Sequence, residues 1–74
     1  MGNVDFSTAA SVEALSHEVT CLKATVTLLL KAIGQADAGK VIINMERYIA
    51  QLEDPEQAAV FGNTIKQIKH AYRQ

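Results

Sequence analysis

Residues 12–33, "VEALSHEVTCLKATVTLLLKAI", carry the strongest structural pattern of the chain, because their apolar side chains follow a heptad repeat. No proline or glycine interrupts it, so the pattern predicts one helix with a narrow apolar stripe. The stripe, which we call the heptad stripe, consists of Val12, Leu15, Val19, Leu22, Val26, Leu29 and Ile33. Residues branched at the β-carbon occupy position a, and leucine occupies position d. This combination favours two parallel helices in a coiled coil.

Size and composition support pairing between two chains. The 74 residues are 49% hydrophobic and 20% charged, with a formal net charge of −1, which is typical of one globular domain. A chain this short buries only about 60% of its unfolded surface, so domains of this size are marginal unless cross-linked or oligomerised. The single cysteine, Cys21, cannot form an internal disulfide. We therefore predict a homodimer with the first helix at its interface.

The rest of the chain predicts two further helices and no strand. We place the three helices at about 8–33, 38–53 and 55–73, in one domain over 1–74, after a disordered tail over 1–7. The first helix is expected to begin near Ser7 or Ser11, either of which can cap it. Gly34 is expected to end the first helix with a positive φ. The segment "GQADAGK", residues 34–40, is interpreted as a turn with Asp37 as the next N-cap. Asp54 should cap the third helix, with Pro55 at its first position and Gln57 completing a capping box. The predicted fold class is an all-α helical bundle.

Apolar residues on the later helices also form stripes. The stripe of the second helix comprises Val41, Ile42, Met45, Tyr48, Ile49 and Leu52. The stripe of the third comprises Ala58, Phe61, Ile65, Ile68 and Tyr72. Four apolar residues lie off the stripes, more than one small core needs: Leu28, Leu30, Ile43 and Val60. A monomeric three-helix bundle remains the alternative to a dimer. In a dimer, the two first helices could run parallel or antiparallel. In the parallel case, Glu18 at position g of one chain and Lys23 at position e of the other would form an ion pair.

Motifs for chemistry are weak, so we predict a protein that is not an enzyme and that binds no cofactor or metal. "GQADAGKV" matches G-x-x-x-x-G-K, but Val41 stands where a phosphate loop needs Ser or Thr, and a helix precedes it instead of a strand. His17 and Cys21 share a helix face that points away from the heptad stripe, so they do not converge as zinc ligands must. The carboxylates form no catalytic pair.

The last helix ends in a basic segment without a following acid. Its cations Lys66, Lys69 and Arg73 either contact an acidic partner or nucleic acid, or complement the helix dipole. Together with the off-stripe residues Ile43 and Val60, they are the candidate contacts for a partner. A larger protein is the favoured partner, and nucleic acid is the alternative. The sequence shows no secretion signal and no apolar run of membrane-spanning length, which predicts a cytoplasmic protein.

Five short segments of the sequence resemble a known protein family. They are "DFSTA", "EVTCLKA", "GQADAGKV", "QAAVF" and "KQIKHAYRQ", and they extend over nearly the whole chain. In these segments the sequence resembles the YecF family of small enterobacterial proteins. The resemblance implies a cytoplasmic bacterial protein of unknown function and carries over no catalytic or binding residue. The apolar residues outside the main stripes, and not this resemblance, predict a homodimeric protein-interaction or regulatory module.

Overall fold

The computed structural model describes residues 6–74 and contains, within that range, three α-helices and no strand. The helices are α1 (Val12–Ile33), α2 (Gln35–Ala50) and α3 (Pro55–Tyr72). The predicted all-α class is confirmed. Most of the predicted tail, residues 1–5, lies outside the described residues. Phe6 and Ser7 are described and are not helical.

The first helix begins at Val12, four residues after the predicted start at residue 8. Ser11 has extended backbone angles, and its Oγ accepts a hydrogen bond of 3.1 Å from the backbone N–H of Ala14. A serine in this position satisfies one of the unpaired N–H groups at a helix start, and therefore fixes where the helix begins. Just before it, the N–H of Ala9 donates to Glu18 Oε2 at 2.8 Å, which holds the preceding segment against the side of α1.

One residue, Gly34, joins α1 to α2. Its φ of 92° and ψ of 159° suit glycine, as expected for a residue that ends a helix. The prediction of a turn over 34–40 is wrong, because Gln35 already starts α2, and Asp37 and Gly39 are helical. Tertiary packing explains the difference: Ala38 is fully buried in the core and must be held close to α1. Asp37 in the first turn also complements the helix dipole.

The connection between α2 and α3 follows the predicted capping signal. Asp54 Oδ1 accepts from the N–H groups of Glu56 at 2.9 Å and Gln57 at 3.4 Å, and Pro55 is the first residue of α3. The Asp54 cap and the position of Pro55 are confirmed, whereas Gln57 contributes its backbone N–H and not the side-chain bond of a capping box. The second helix ends at Ala50, earlier than the predicted residue 53, because the N–H of Leu52 bonds to the carbonyl of Ile49 at 3.1 Å in a tightened last turn.

A small core lies where the three helices meet. Its buried members, which we call the corner core, are Leu30, Ala38, Ile42 and Ile68, with Ile65 and Tyr72 packed against them. Helices α2 and α3 are antiparallel, since Glu46 contacts Lys69 while Tyr48, further along α2, contacts Phe61, earlier on α3. The α3 stripe faces the core as predicted. On α2, however, Val41 and Tyr48 stay exposed, at 40% and 51%.

Candidate interaction surfaces

The heptad stripe is exposed along its whole length. Its seven residues range in exposure from 39% at Leu15 and Val26 to 85% at Val12, and none of them belongs to the corner core. A row of large apolar side chains of this kind is unusual on a monomeric protein surface and indicates an interaction site. The structure thus brings all predicted interface residues onto one open face of α1.

Helix α1 leaves this stripe open because it packs through a different face. Leu30 is 4% exposed in the corner core, and the half-buried residues Lys23 and Thr27 share its side of the helix. At about 100° per residue, the centre of this packing face lies roughly 90° around the helix from the centre of the heptad stripe. The expectation that Leu30 lies outside the core stripes is wrong, since it is the one buried residue of α1.

The chain as a whole exposes more surface than its mass requires. Its accessible area is 6057 Å², whereas a compact monomer of 8.0 kDa exposes about 4,450 Å². The radius of gyration is 14.4 Å, compared with about 11.3 Å for a compact chain of this length. Part of the excess belongs to the segment before α1, where Phe6 is 90% exposed. The exposed side chains of the heptad stripe are also part of the accessible area. For comparison, a standard protein–protein interface buries about 800 Å² on each partner.

The two charged residues expected to pair between chains have partners within the chain. Glu18 accepts the hydrogen bond from Ala9. The ammonium of Lys23 donates to Gln67 Oε1 at 2.8 Å, which links α1 to α3. An interchain Glu18–Lys23 pair would form in addition to these contacts, because Glu18 Oε1 and two N–H groups of Lys23 take no part in them.

The three cations of the predicted partner surface are spaced three and four residues apart along one side of α3 and its C-cap, but their surroundings differ. Lys69 Nζ lies 3.3 Å from Glu46 Oε2, so a carboxylate offsets its charge. Lys66 lies beside them, in a depression of about 200 Å³ between α2 and α3. Arg73 lies beyond the end of α3, with its guanidinium 5.9 Å from the ring centre of Tyr72. A carboxylate therefore lies among these cations on the side of α3 that faces α2.

The two off-stripe candidates, Ile43 and Val60, are exposed at 49% and 57%. Ile43 follows the buried Ile42, so it points about 100° away from the core side of α2. Val60 lines a shallow depression at the start of α3, next to Asp54 and Glu56. They lie on different helices, and each offers a single apolar side chain to a partner.

Between α1 and α3 lies an apolar groove that the sequence did not predict. The α1–α3 groove has a volume of about 410 Å³. Its apolar and methyl-bearing lining comprises Thr20, Ala24, Thr27, Leu28, Ile68 and Ala71. Lys23 and Gln67, hydrogen-bonded to each other, also line it. Sequence reasoning missed the groove because its two walls are more than 30 residues apart, although the off-stripe Leu28 was a signal of it.

The chain is similar to known proteins along its whole length. All of it, residues 1–74, matches the model of a family described as a protein of unknown function, DUF2594. The chain belongs to this family. It is 58% identical to proteins named "Uncharacterized protein YecF" from Escherichia coli (strain K12) and Shigella flexneri, over 100% of each chain. The predicted resemblance to YecF is confirmed, and no solved structure matches the chain.

Membership of DUF2594 states no activity, so the side chains must carry the functional argument. Between residues 6 and 74, no three His, Cys, Asp or Glu side chains are grouped as a metal ion requires. His17 and Cys21 are both exposed on α1. In the same range, no helix combines the length and apolar content needed to cross a membrane. The exposed apolar surfaces on α1 are therefore the features of this DUF2594 chain that call for a functional explanation.

Proposed function

We propose that this chain is a small homodimeric interaction module without catalytic activity, in which the heptad stripes of two α1 helices pair. One observation carries the proposal: seven large apolar side chains lie in a row and are exposed along a helix of 22 residues. Such a helix is about 33 Å long. Pairing would remove the whole row from water in one contact.

The corner core supports this proposal through its small size. Only four side chains of the described residues are both apolar and buried. A domain of this length gains limited stability from a single core and commonly depends on oligomerisation. Two paired stripes would form a second core between the chains, with β-branched residues and leucines in the alternation that suits two helices.

In this proposal the dimer acts as a scaffold that presents its outer helix faces to a larger protein. The alternative is a nucleic-acid-associated protein that uses Lys66, Lys69 and Arg73. The contact between Lys69 and Glu46 favours the first function, because it places a carboxylate within the surface that phosphates would have to approach.

The test is the molar mass of the chain, measured by light scattering over a concentration series. The wild type should shift towards twice the mass of one chain as concentration rises. Val19→Asp combined with Val26→Asp should remain at the mass of one chain, because pairing would bury unpaired carboxylates. Ile43→Asp combined with Val60→Asp is the matched control, which places two carboxylates at exposed apolar positions off the stripe and should still dimerise.

A second measurement covers the case in which the stripe variant fails to fold. The thermal midpoint of a dimer rises with protein concentration, since association stabilises the folded state by mass action. The wild-type midpoint should show this rise. A wild type that has one-chain mass and a concentration-independent midpoint rejects the dimer. Retention of the dimer by the folded stripe variant rejects the stripe as its interface.

A further inference from the structure

We infer that the α1–α3 groove binds an acidic amphipathic helix of a partner protein. This deepens the proposed function by naming the chemistry of the partner, and it rests on that function only for the presence of two grooves in one assembly. The groove and the heptad stripe lie on different sides of α1. The centre of the groove wall on α1 lies roughly 150° around the helix from the heptad stripe, at about 100° per residue. Pairing of two stripes therefore leaves each groove on the outside.

The shape and lining of the groove fit the apolar face of a helix. Its volume is about 410 Å³. Leu28, 64% exposed, forms one edge, and Ile68 and Ala71 form the opposite wall on α3. Because the side chain of Ala24 is small, it leaves room for a ligand side chain on the α1 side of the groove. Helices that bind in such grooves insert apolar residues spaced three and four apart, and this lining offers them aliphatic and methyl contacts.

The charges around the groove select an acidic ligand. No carboxylate lines it. Lys23 lies within it, and its ammonium is held at the rim by Gln67 at 2.8 Å. Lys31 is exposed three residues beyond Leu28, on the same side of α1. On that side of α1 the nearest acid before the groove is Glu13, seven residues before Thr20.

The two lysines also set a spacing for the ligand. Lys23 and Lys31 are eight residues apart on one helix, a separation of about 12 Å. A ligand helix lying along α1 would meet both with carboxylates seven or eight residues apart, about two turns. Its apolar stripe would face the groove between them. Complementary charges at a rim of this kind mainly provide specificity and faster association.

The test uses three labelled helical peptides of about 18 residues, five turns, that share one Leu/Ala stripe. Their polar faces carry Glu, Gln or Lys. Fluorescence anisotropy should show the Glu peptide binding at least about tenfold more tightly than the Lys peptide, the preference that two rim ion pairs would supply. Added salt should reduce this preference, because exposed ion pairs are screened.

Two leucines with the same exposure give a matched pair of variants. Leu28 lies at the groove and Leu22 on the heptad stripe, and both are 64% exposed. Leu28→Glu should weaken binding of the Glu peptide at least about tenfold and retain the dimer. Leu22→Glu should bind the peptide as the wild type does and lose the dimer. The peptide results decide the groove, and the molar masses decide the stripe, so the two proposals fail separately.

Three results would overturn the inference. The first is a Glu peptide that binds no more tightly than the Lys peptide. The second is wild-type binding of the Glu peptide by folded Leu28→Glu. The third is cosedimentation with phosphatidylglycerol vesicles, abolished by Leu28→Glu, without binding of the Glu peptide, which would assign the groove to an anionic membrane surface.

Discussion

Leu29 and Leu30 are neighbours on α1, yet they lie in opposite environments. Leu30 is 4% exposed in the corner core, whereas Leu29 is 59% exposed on the heptad stripe. The difference arises from the direction in which α2 and α3 approach α1, since the two side chains are chemically the same. An apolar pattern therefore identifies a surface that avoids water, but it does not identify which element, or which chain, covers that surface.

The largest expected effect is a loss of stability on truncation of Leu30, compared with truncation of Leu29. Leu30→Ala should lower the free energy of unfolding by about 2–5 kcal/mol, because it leaves a cavity in a core of four residues. Leu29→Ala should lower it by less than about 1 kcal/mol at concentrations where the monomer prevails, since an exposed side chain loses little on truncation. Urea unfolding followed by circular dichroism measures both. Equal losses would show that the corner core is not the main core of the monomer.

The turn that creates the corner should give the next effect. Gly34→Ala forces a side chain onto a φ of 92°, although no atom lies within 4 Å of the added carbon. The backbone alone should therefore cost about 1–3 kcal/mol in thermal or urea unfolding, because φ 92° with ψ 159° lies in a region that only glycine adopts readily.

Gly39→Ala is the control for that turn, because Gly39 lies inside α2 and its Cβ would also meet no atom within 4 Å. It should stabilise the chain by about 0.5–1 kcal/mol, as alanine favours a helix interior. If both variants were stabilising, the positive φ at Gly34 would not be what directs α2 away from α1.

Gly62 tests whether the α3 face beside α2 is free in the dimer. It lies inside α3, and a Cβ there would meet no atom within 4 Å. Gly62→Ala should raise the free energy of unfolding by about 0.5–1 kcal/mol and leave the molar mass series unchanged. A shift towards the monomer would instead place this face of α3, and not only the heptad stripe, in the interface.

The smallest effect should come from the ion pair between α2 and α3. A double-mutant cycle with Glu46→Gln and Lys69→Gln should give a coupling of about 0–1 kcal/mol, because the two side chains are 49% and 34% exposed. The pair of Asp37 and Lys40, 4.0 Å apart and more exposed, should give a coupling closer to zero in the same urea experiments. A larger coupling for Glu46 and Lys69 would show that this side of the bundle depends on charge as well as on the corner core.

Local signals in the sequence predicted local structure well. Asp54 and Pro55 marked the start of α3, because a side-chain cap and a proline act within one turn of the chain. The prediction failed between residues 34 and 40, where Asp37 and Gly39 read as a turn. These residues are nevertheless helical, because burial of Ala38 packs α2 against α1 and α3. Such packing stabilises a helix even where the helix propensity of its residues is neutral or unfavourable.

The candidate sites divide in the same way. Spacing alone assigned the seven residues of the heptad stripe to one face, and the structure leaves that face open. Spacing also grouped Lys66, Lys69 and Arg73 as one basic segment. In the structure Glu46 of α2 lies 3.3 Å from Lys69 and offsets its charge. An opposing charge from another helix leaves no trace in the local sequence.

Residue types and their spacing were enough to predict that this protein is helical, where α3 begins, and that α1 carries a continuous apolar stripe. These properties depend on backbone capping and on the period of one helix, which act over a few residues. The tertiary structure alone decided that Leu30 closes the core, that the stripe stays exposed, and that a groove opens between α1 and α3. Those outcomes depend on how α3, which supplies Ile68 to the core and one wall of the groove, packs against α1 from a distant part of the chain.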